Sequence, residues 1–526
     1  MAKRILIVGA GTAGWITACY LARMLSADKP DGVAITLVES DEIPTVGVGE
    51  GTFPSIRKTL ARIGLDEAVL VRDANATFKQ GIRFVNWRHD PAVDASDQYL
   101  HPFQVAQQHS DMDLLPYWLL GAAGSSSWDD ASSVQKRVIE ARRAPKLLEH
   151  ENYGAPLNYA YHFDAVRFAV VLRKHGEALG VRRVIDTIDT VNLDADGAIA
   201  NVVGRASGAM TADLFIDCSG FGATLIGKAL ESPFTSYRDQ LFCDRAVTMQ
   251  VPNPRADTPI ASCTISTAQE AGWMWDIDLS ERRGIGYVYS SDHTSDDRAE
   301  AVLRRYIGSA AEDLTARTLR FEAGFRRTQW IKNCVAIGLS AGFIEPLEAT
   351  GIGFAEIAAL ILANLFPWSG EYEVAARLFN QQMQRRYEHV IDFIKLHYCL
   401  SERQDSSFWS DNRAPGSVSA TLADKLQRWR TRPPSFLDID TSYDIFTEHN
   451  WQYVLYGMGF RTDIRERAGA LRYMTEARAE FADIQRQGQY ALQIMPDHRA
   501  LIEAVRVRGF GAKGAPLASL RAGGGR

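Results

Sequence analysis

The sequence predicts an α/β fold followed by a mostly helical C-terminal region. Three observations carry this prediction. Residues 4–40 read as strand, glycine-rich loop, helix and strand. Further strand-like runs recur at 183–203, 213–218 and 240–290, the last as a separate sheet. From about residue 355, apolar residues recur with a period near 3.6, the repeat of a helix with one buried face.

The first unit is the most specific. Strand Arg4–Val8 runs into Gly9-Ala10-Gly11-Thr12-Ala13-Gly14, a helix continues through Met24, and a second strand, Ala34–Val38, ends at Glu39. Gly9 permits the tight turn, Gly11 lets backbone approach a pyrophosphate, and Gly14 allows close helix–strand packing. The helix N-terminus turns free N–H groups toward an anion, and Glu39 lies where an acid accepts from a ribose hydroxyl. This pattern predicts a dinucleotide and leaves FAD and NAD both open.

Residues 45–95 hold a second glycine-rich stretch, Val46-Gly47-Val48-Gly49-Glu50-Gly51, then a helix and the segment Phe78–Trp87. Residues 96–150 read as irregular with helical patches. Tyr161-His162-Phe163-Asp164 is expected to open a helix through Leu179. A β pattern follows at Arg183–Val203, with a hairpin near Asp194–Gly197. Asp213–Gly220 and Val335–Gly338 read as buried strands ending at glycine. Helical periodicity occupies 354–400 and 465–505. The expected domains are 1–360, with substrate-facing insertions at about 95–150, a helical region at 361–510, and a Gly/Ala/Arg-rich flexible tail at 511–526.

With 526 residues the chain exceeds one small core, and 46% hydrophobic and 23% charged residues are ordinary for a globular protein. A net charge of −6 gives no electrostatic basis for nucleic-acid binding. No apolar run approaches the length of a membrane span. Six cysteines without a C-x-x-C pair, and an N-terminus entering a strand at once, predict free thiols and a cytoplasmic protein.

Three further segments are distinctive. Phe78-Lys79-Gln80-Gly81 continues into Ile82–Trp87. Gly272-Trp273-Met274-Trp275-Asp276-Ile277-Asp278 alternates, so both indoles share one strand face. Phe343-Ile344-Glu345-Pro346-Leu347-Glu348-Ala349-Thr350-Gly351-Ile352-Gly353 carries two carboxylates in a turn-rich stretch. A lone lysine is ordinarily exposed, a W-x-W pair is ordinarily core, and loop glutamates are ordinarily solvated.

Together with the nucleotide loop, these segments resemble the flavin-dependent halogenase family, which includes the tryptophan halogenases, over residues 4 to about 460. The resemblance implies an FAD-binding, flavin-monooxygenase-like domain with a second sheet and a helical substrate region. It implies chlorination or bromination of an electron-rich aromatic by FADH2 and O2, through a flavin C4a-hydroperoxide and a hypohalous acid. Lys79 would direct that acid and Glu348 would assist at the ring, with Glu345 structural. Gly9, Gly11, Gly14, Glu39, Gly49, Gly338 and Ile352 would bind the cofactor, and Thr350 and Gly351 would hold chloride or bromide. Trp273 and Trp275 would separate flavin from substrate, and His101, Phe103, Trp451 and Tyr443 would line the pocket.

The sequence departs from the family at four places. Ala349 replaces a common serine, and Asp278 replaces a proline. Gly338-Leu339-Ser340 lacks the acid found in related monooxygenases. Tyr443 retains one of the two tyrosines with which tryptophan-specific members hold the amino-acid group, which favours indole or a simple derivative. No second dinucleotide loop for NAD(P)H is evident, so a separate NADH-dependent flavin reductase would supply FADH2 to a monomer or homodimer. The alternatives are a flavin hydroxylase or oxidoreductase, and a flavin-binding redox sensor without turnover.

Overall fold

A computed structural model describes residues 3–42, 50–105, 112–439 and 445–511. Gly49, Tyr443 and residues 512–526 lie outside them. The chain forms two compact units, each assembled from separated segments. One contains Met1–Ala76, Phe163–Arg238 and Phe321–Glu388, and the other Thr77–His162, Asp239–Arg320 and His389–Arg526.

The first unit is built on a six-stranded sheet ordered Trp330–Ile331, Cys334–Ala336, Leu214–Asp217, Arg4–Val8, Ala34–Glu39 and Arg182–Ile185. All neighbours are parallel except the short hairpin at the Trp330 edge. A parallel sheet is covered on both faces, so its strands are continuous apolar runs. Ile5, Leu6, Ile7 and Val8 are accordingly all buried. Helix Thr12–Met24 packs against helices Thr350–Asn364 and Ala165–Ala178, which explains why its residues from Gly14 to Ala22 are buried nearly all round. The hairpin expected at Asp194–Gly197 joins the antiparallel strands Ile188–Leu193 and Ile199–Gly204, with Gly197 at φ +74°.

The second unit is built on a seven-stranded sheet ordered Arg317–Arg320, Arg245–Pro252, Arg282–Tyr289, Gly272–Asp278, Thr264–Gln269, Gly81–Val85 and Gln98–Pro102. Its one parallel pairing joins Thr264–Gln269 to Gly81–Val85. Strand Thr77–Lys79 pairs separately with Ala160–Phe163, placing Phe78 opposite Tyr161 and Lys79 opposite Ala160. Helices Glu448–Gly457, Met474–Ile494 and His498–Arg508 complete the unit.

Three local expectations are corrected. Residues 160–163 form a strand, and the helix begins after Asp164, whose carboxylate accepts the N–H groups of Val166 and Arg167. The apolar Ala160–Phe163 run is buried throughout, as a paired internal strand must be. Gln98–Pro102, expected to be irregular, is a strand because Gly81–Val85 offers it an edge. The C-terminal helical pattern starts at Thr350, five residues before the periodicity becomes legible.

Helix Thr350–Asn364 also buries Glu356, which accepts from Ser55 at 3.3 Å. Burial raises its carboxyl from 4.5 to about 8. Between these values the folded chain keeps a proton that the unfolded chain releases, so stability falls as pH rises from 4.5 through 8. Glu356→Gln removes that dependence, and thermal unfolding at pH 6 and pH 8.5 should show a smaller loss for the variant than for the parent.

Candidate active site

The described residues expected to bind the nucleotide belong to the first unit. Gly9 adopts φ +108°, and a Cβ there would lie 2.1 Å from the Cys218 carbonyl oxygen. A Cβ on Gly14 would lie 2.0 Å from the carbonyl of Gly9. These two glycines are fixed by close backbone packing. A Cβ on Gly11 would meet nothing within 4 Å, so that position faces open space at the helix start. The first turn of the helix holds no acid and no side-chain cap, leaving its N–H groups available to an anion. Gly338, at φ +80°, comes against Ala13 of the same turn.

Two carboxylates near this loop have defined work. Glu39 is paired with Arg183 of the adjacent strand at 2.5 Å. Asp217 is spent on the fold: its oxygens accept from the N–H groups of Ser219, Leu225 and Ile226 at 2.7–2.9 Å and from the Ser219 hydroxyl at 2.6 Å. Ser340, in the Gly338-Leu339-Ser340 stretch that lacks the acid of related monooxygenases, donates its hydroxyl to the Asp217 carbonyl at 2.5 Å.

Glu348 ends the short 3-10 turn Pro346–Glu348 and is buried, as is Glu345. Ala349 then takes φ 57°, a left-handed conformation that costs a non-glycine residue about 1–2 kcal/mol. That reversal starts helix Thr350–Asn364, so the N–H groups of Thr350 and Gly351 fall in its unsatisfied first turn. Gly351 is exposed, with nothing within 4 Å of a Cβ position, and Ile352 is buried behind it. The Thr350 hydroxyl is buried with no hydrogen-bond partner among the described residues.

Of the residues expected on the substrate side, those described all lie in the second unit. Lys79 is 1% exposed, against the ordinary habit of lysine. Its Nζ lies 5.3 Å from the ring centre of Phe103. His162 stays neutral, its pKa held well below the usual range by burial, with Lys79 and His498 adding to the effect. His101 is buried, with its Nε2 2.8 Å from the Asn450 amide nitrogen. Asn450 Oδ1 accepts the Thr447 N–H at 2.8 Å, so its Nδ2 faces His101 and donates. His101 Nε2 is therefore the acceptor and Nδ1 carries the proton. Trp451 is buried on Phe393, ring centres 5.0 Å apart, and Phe446 stacks on Phe393 at 4.0 Å.

Trp273 and Trp275 are buried on one strand, their rings 6.3 Å apart. Trp87 joins Trp273 at 6.4 Å, and Tyr398 and Trp409 pack on Trp87. His397 is a satisfied buried histidine, its Nδ1 2.9 Å from the Phe393 carbonyl. The Asp278 departure leaves the strand end tied: its carboxylate accepts the Ala261 N–H at 2.8 Å and its carbonyl accepts the Thr77 hydroxyl at 2.8 Å.

A family model described as tryptophan halogenase matches residues 4–472. The chain belongs to the tryptophan halogenase family. It is 34% identical to the 7-chloro-L-tryptophan 6-halogenase of Kutzneria sp., over 95% of this chain and 99% of that one. The crystal structure of a tryptophan halogenase from Shewanella frigidimarina superposes with a TM-score of 0.93 at 40% identity, covering 97% of this chain and 98% of that one. BrvH, a flavin-dependent halogenase from Brevundimonas sp. BAL3, superposes with a TM-score of 0.85 at 33% identity, covering 96% and 99%.

The protein is thus a flavin-dependent halogenase, and FAD is the cofactor of its family. The Gly9–Gly14 loop fits that group: backbone packing excludes side chains at Gly9 and Gly14, while Gly11 leaves room above an uncapped helix start. Among the described residues no cluster suited to a metal ion occurs, no helix is long and apolar enough to cross a membrane, and all six cysteines are free thiols.

Sequence reasoning missed Asn450 and Gly286, and it named Trp87 only as part of the Ile82–Trp87 segment without its contact to Trp273. Asn450 carried a signal in its position three residues after Thr447, the spacing of a capping box. Gly286 carried none. It lies opposite Trp275, and a Cβ there would stand 2.2 Å from the indole. Gly286→Ala should displace Trp275 and cost about 1–3 kcal/mol, measurable by denaturant unfolding.

Proposed function

We propose that this halogenase chlorinates or brominates indole or a simple indole derivative, with Lys79 delivering the oxidised halogen and Glu348 serving the ring. Bound reduced FAD with O2 supplies the two-electron oxidation of halide to hypohalous acid. Thr350 and Gly351 hold the halide through first-turn N–H groups. Lys79 Nζ engages the hypohalous acid and presents its halogen to the ring. Glu348 stabilises the cationic ring intermediate and takes its proton, and the oxygen leaves as water. Trp273 and Trp275 keep the substrate away from the flavin, which disfavours oxygen insertion.

The observation that carries this reading is the burial of Lys79 beside Phe103, in the unit that also holds His101, Trp451 and the tryptophan pair. A buried lysine needs a reason, and aiming an electrophile supplies one. Aromatic walls suit a flat electron-rich ring. A separate NADH-dependent reductase supplies FADH2 by diffusion, and the enzyme works in the cytoplasm as a monomer or homodimer.

The test is an incubation with indole, a flavin reductase, NADH, O2 and either chloride or bromide, read by isotope pattern in mass spectrometry. Lys79→Ala should abolish halogenated product while flavin reoxidation continues; surviving product removes Lys79 from the mechanism. Glu348→Gln should slow halogenation by about 10²–10⁴-fold with flavin binding intact, and an unchanged rate removes Glu348. An oxygenated product without halogen would replace the reading with a hydroxylase.

A further inference from the structure

We infer that His498, on the last helix of the described residues, is a positioning residue for Lys79. This inference rests on the reading of Lys79 given above. Residues 498–508 lie beyond the segment matched by the family model, which ends at 472.

Lys79 closes a three-residue strand, Thr77–Lys79, paired with Ala160–Phe163 along one edge. So short a strand does not hold its own register. The N–H of Phe78, next to Lys79, donates to His498 Nε2 at 2.9 Å, across 420 residues of sequence. A backbone N–H can only donate, so Nε2 must be the bare nitrogen. The proton then sits on Nδ1, which faces the Ile260 carbonyl at 3.3 Å and the Ser262 hydroxyl at 3.4 Å. Burial fixes the neutral form, lowering the imidazole from 6.5 to about 4. The His498 ring also packs on Phe78, centres 5.8 Å apart.

The other neighbour of Lys79 is held by the same part of the structure. Gln80 donates its N–H to the Ser262 carbonyl at 2.7 Å and its side-chain amide to the Arg143 carbonyl at 2.7 Å. Ser262 donates its hydroxyl to that same Arg143 carbonyl at 2.9 Å. The His498 N–H donates to the carbonyl of Arg142 at 3.0 Å, and Asp497 bridges Arg143. The last helix and the residue 142–143 turn therefore fix both flanks of Lys79. A side chain with four rotatable bonds is aimed only if its backbone is fixed, and an ångström of misplacement costs about 10²-fold in rate.

The test compares two polar variants differing by one methylene. In His498→Gln the amide oxygen reaches the place of Nε2, and in His498→Asn it stops near Nδ1. Both are assayed with the reductase, indole and bromide, alongside a soluble halogen trap and Lys79→Ala. His498→Asn should lower indole halogenation at least tenfold at unchanged flavin reoxidation, with the oxidised bromide diverted to the trap. His498→Gln should stay within threefold of the parent. Equal behaviour of the two variants, or normal halogenation by His498→Asn, overturns the inference. Product from Lys79→Ala instead overturns the reading on which it rests. Hydrogen exchange of the unmodified protein provides a check independent of variant folding: the Phe78 amide should be among the slow-exchanging sites, and rapid exchange overturns the inference.

Discussion

Lys79, one of several buried lysines in the second unit, depends on its surroundings to be held in place. Removing a charged or strongly polar nitrogen from water costs several kcal/mol unless polar or aromatic partners compensate. The ring of Phe103 lies beside Nζ, and both neighbours of the lysine have their backbone N–H groups satisfied by distant residues. His162 and His498 remain uncharged nearby, so neither adds a competing cation at neutral pH. A three-residue strand suffices to carry the lysine because its surroundings, not its length, determine its place.

The first unit solves a different problem, bringing backbone near an anion. It does so by excluding side chains. Gly9 and Gly14 are needed because carbonyl oxygens occupy the space a Cβ would take, while a Cβ on Gly11 would meet only open space. The carboxylate of Asp217 closes the end of its strand through its own hydrogen bonds. The Ser340 hydroxyl donates to the Asp217 carbonyl and so serves the same strand end. Ala349 is one of several non-glycine residues with a left-handed backbone, and it redirects the chain between Glu348 and the helix that begins at Thr350.

The aromatic wall of the second unit shows how a two-residue motif becomes a surface. Trp273 and Trp275 share a strand face, as alternation requires, and the Trp275 ring has its place only because glycine occupies position 286 on the adjoining strand. Trp87, Tyr398 and Trp409 extend the cluster from three other segments. The five rings pack on one another in the buried interior of the second unit.

Local rules carried the sequence far. Loop glycines, parallel strands, the shared face of two tryptophans and the segments bearing Lys79 and Glu348 are each set by residues close together in the chain, where steric demands and periodicity leave a readable pattern. The helix start at Asp164 and the strand at Gln98–Pro102 were misread because capping and edge pairing outweigh the local pattern there. What the tertiary structure alone decided is long-range pairing. Asn450 meets His101, Gly286 admits Trp275 and His498 meets Phe78, and no spacing encodes these pairs because each partner is specified only once the chain has folded. The sequence thus determined which groups the chemistry has available, and folding decided which of them are held still.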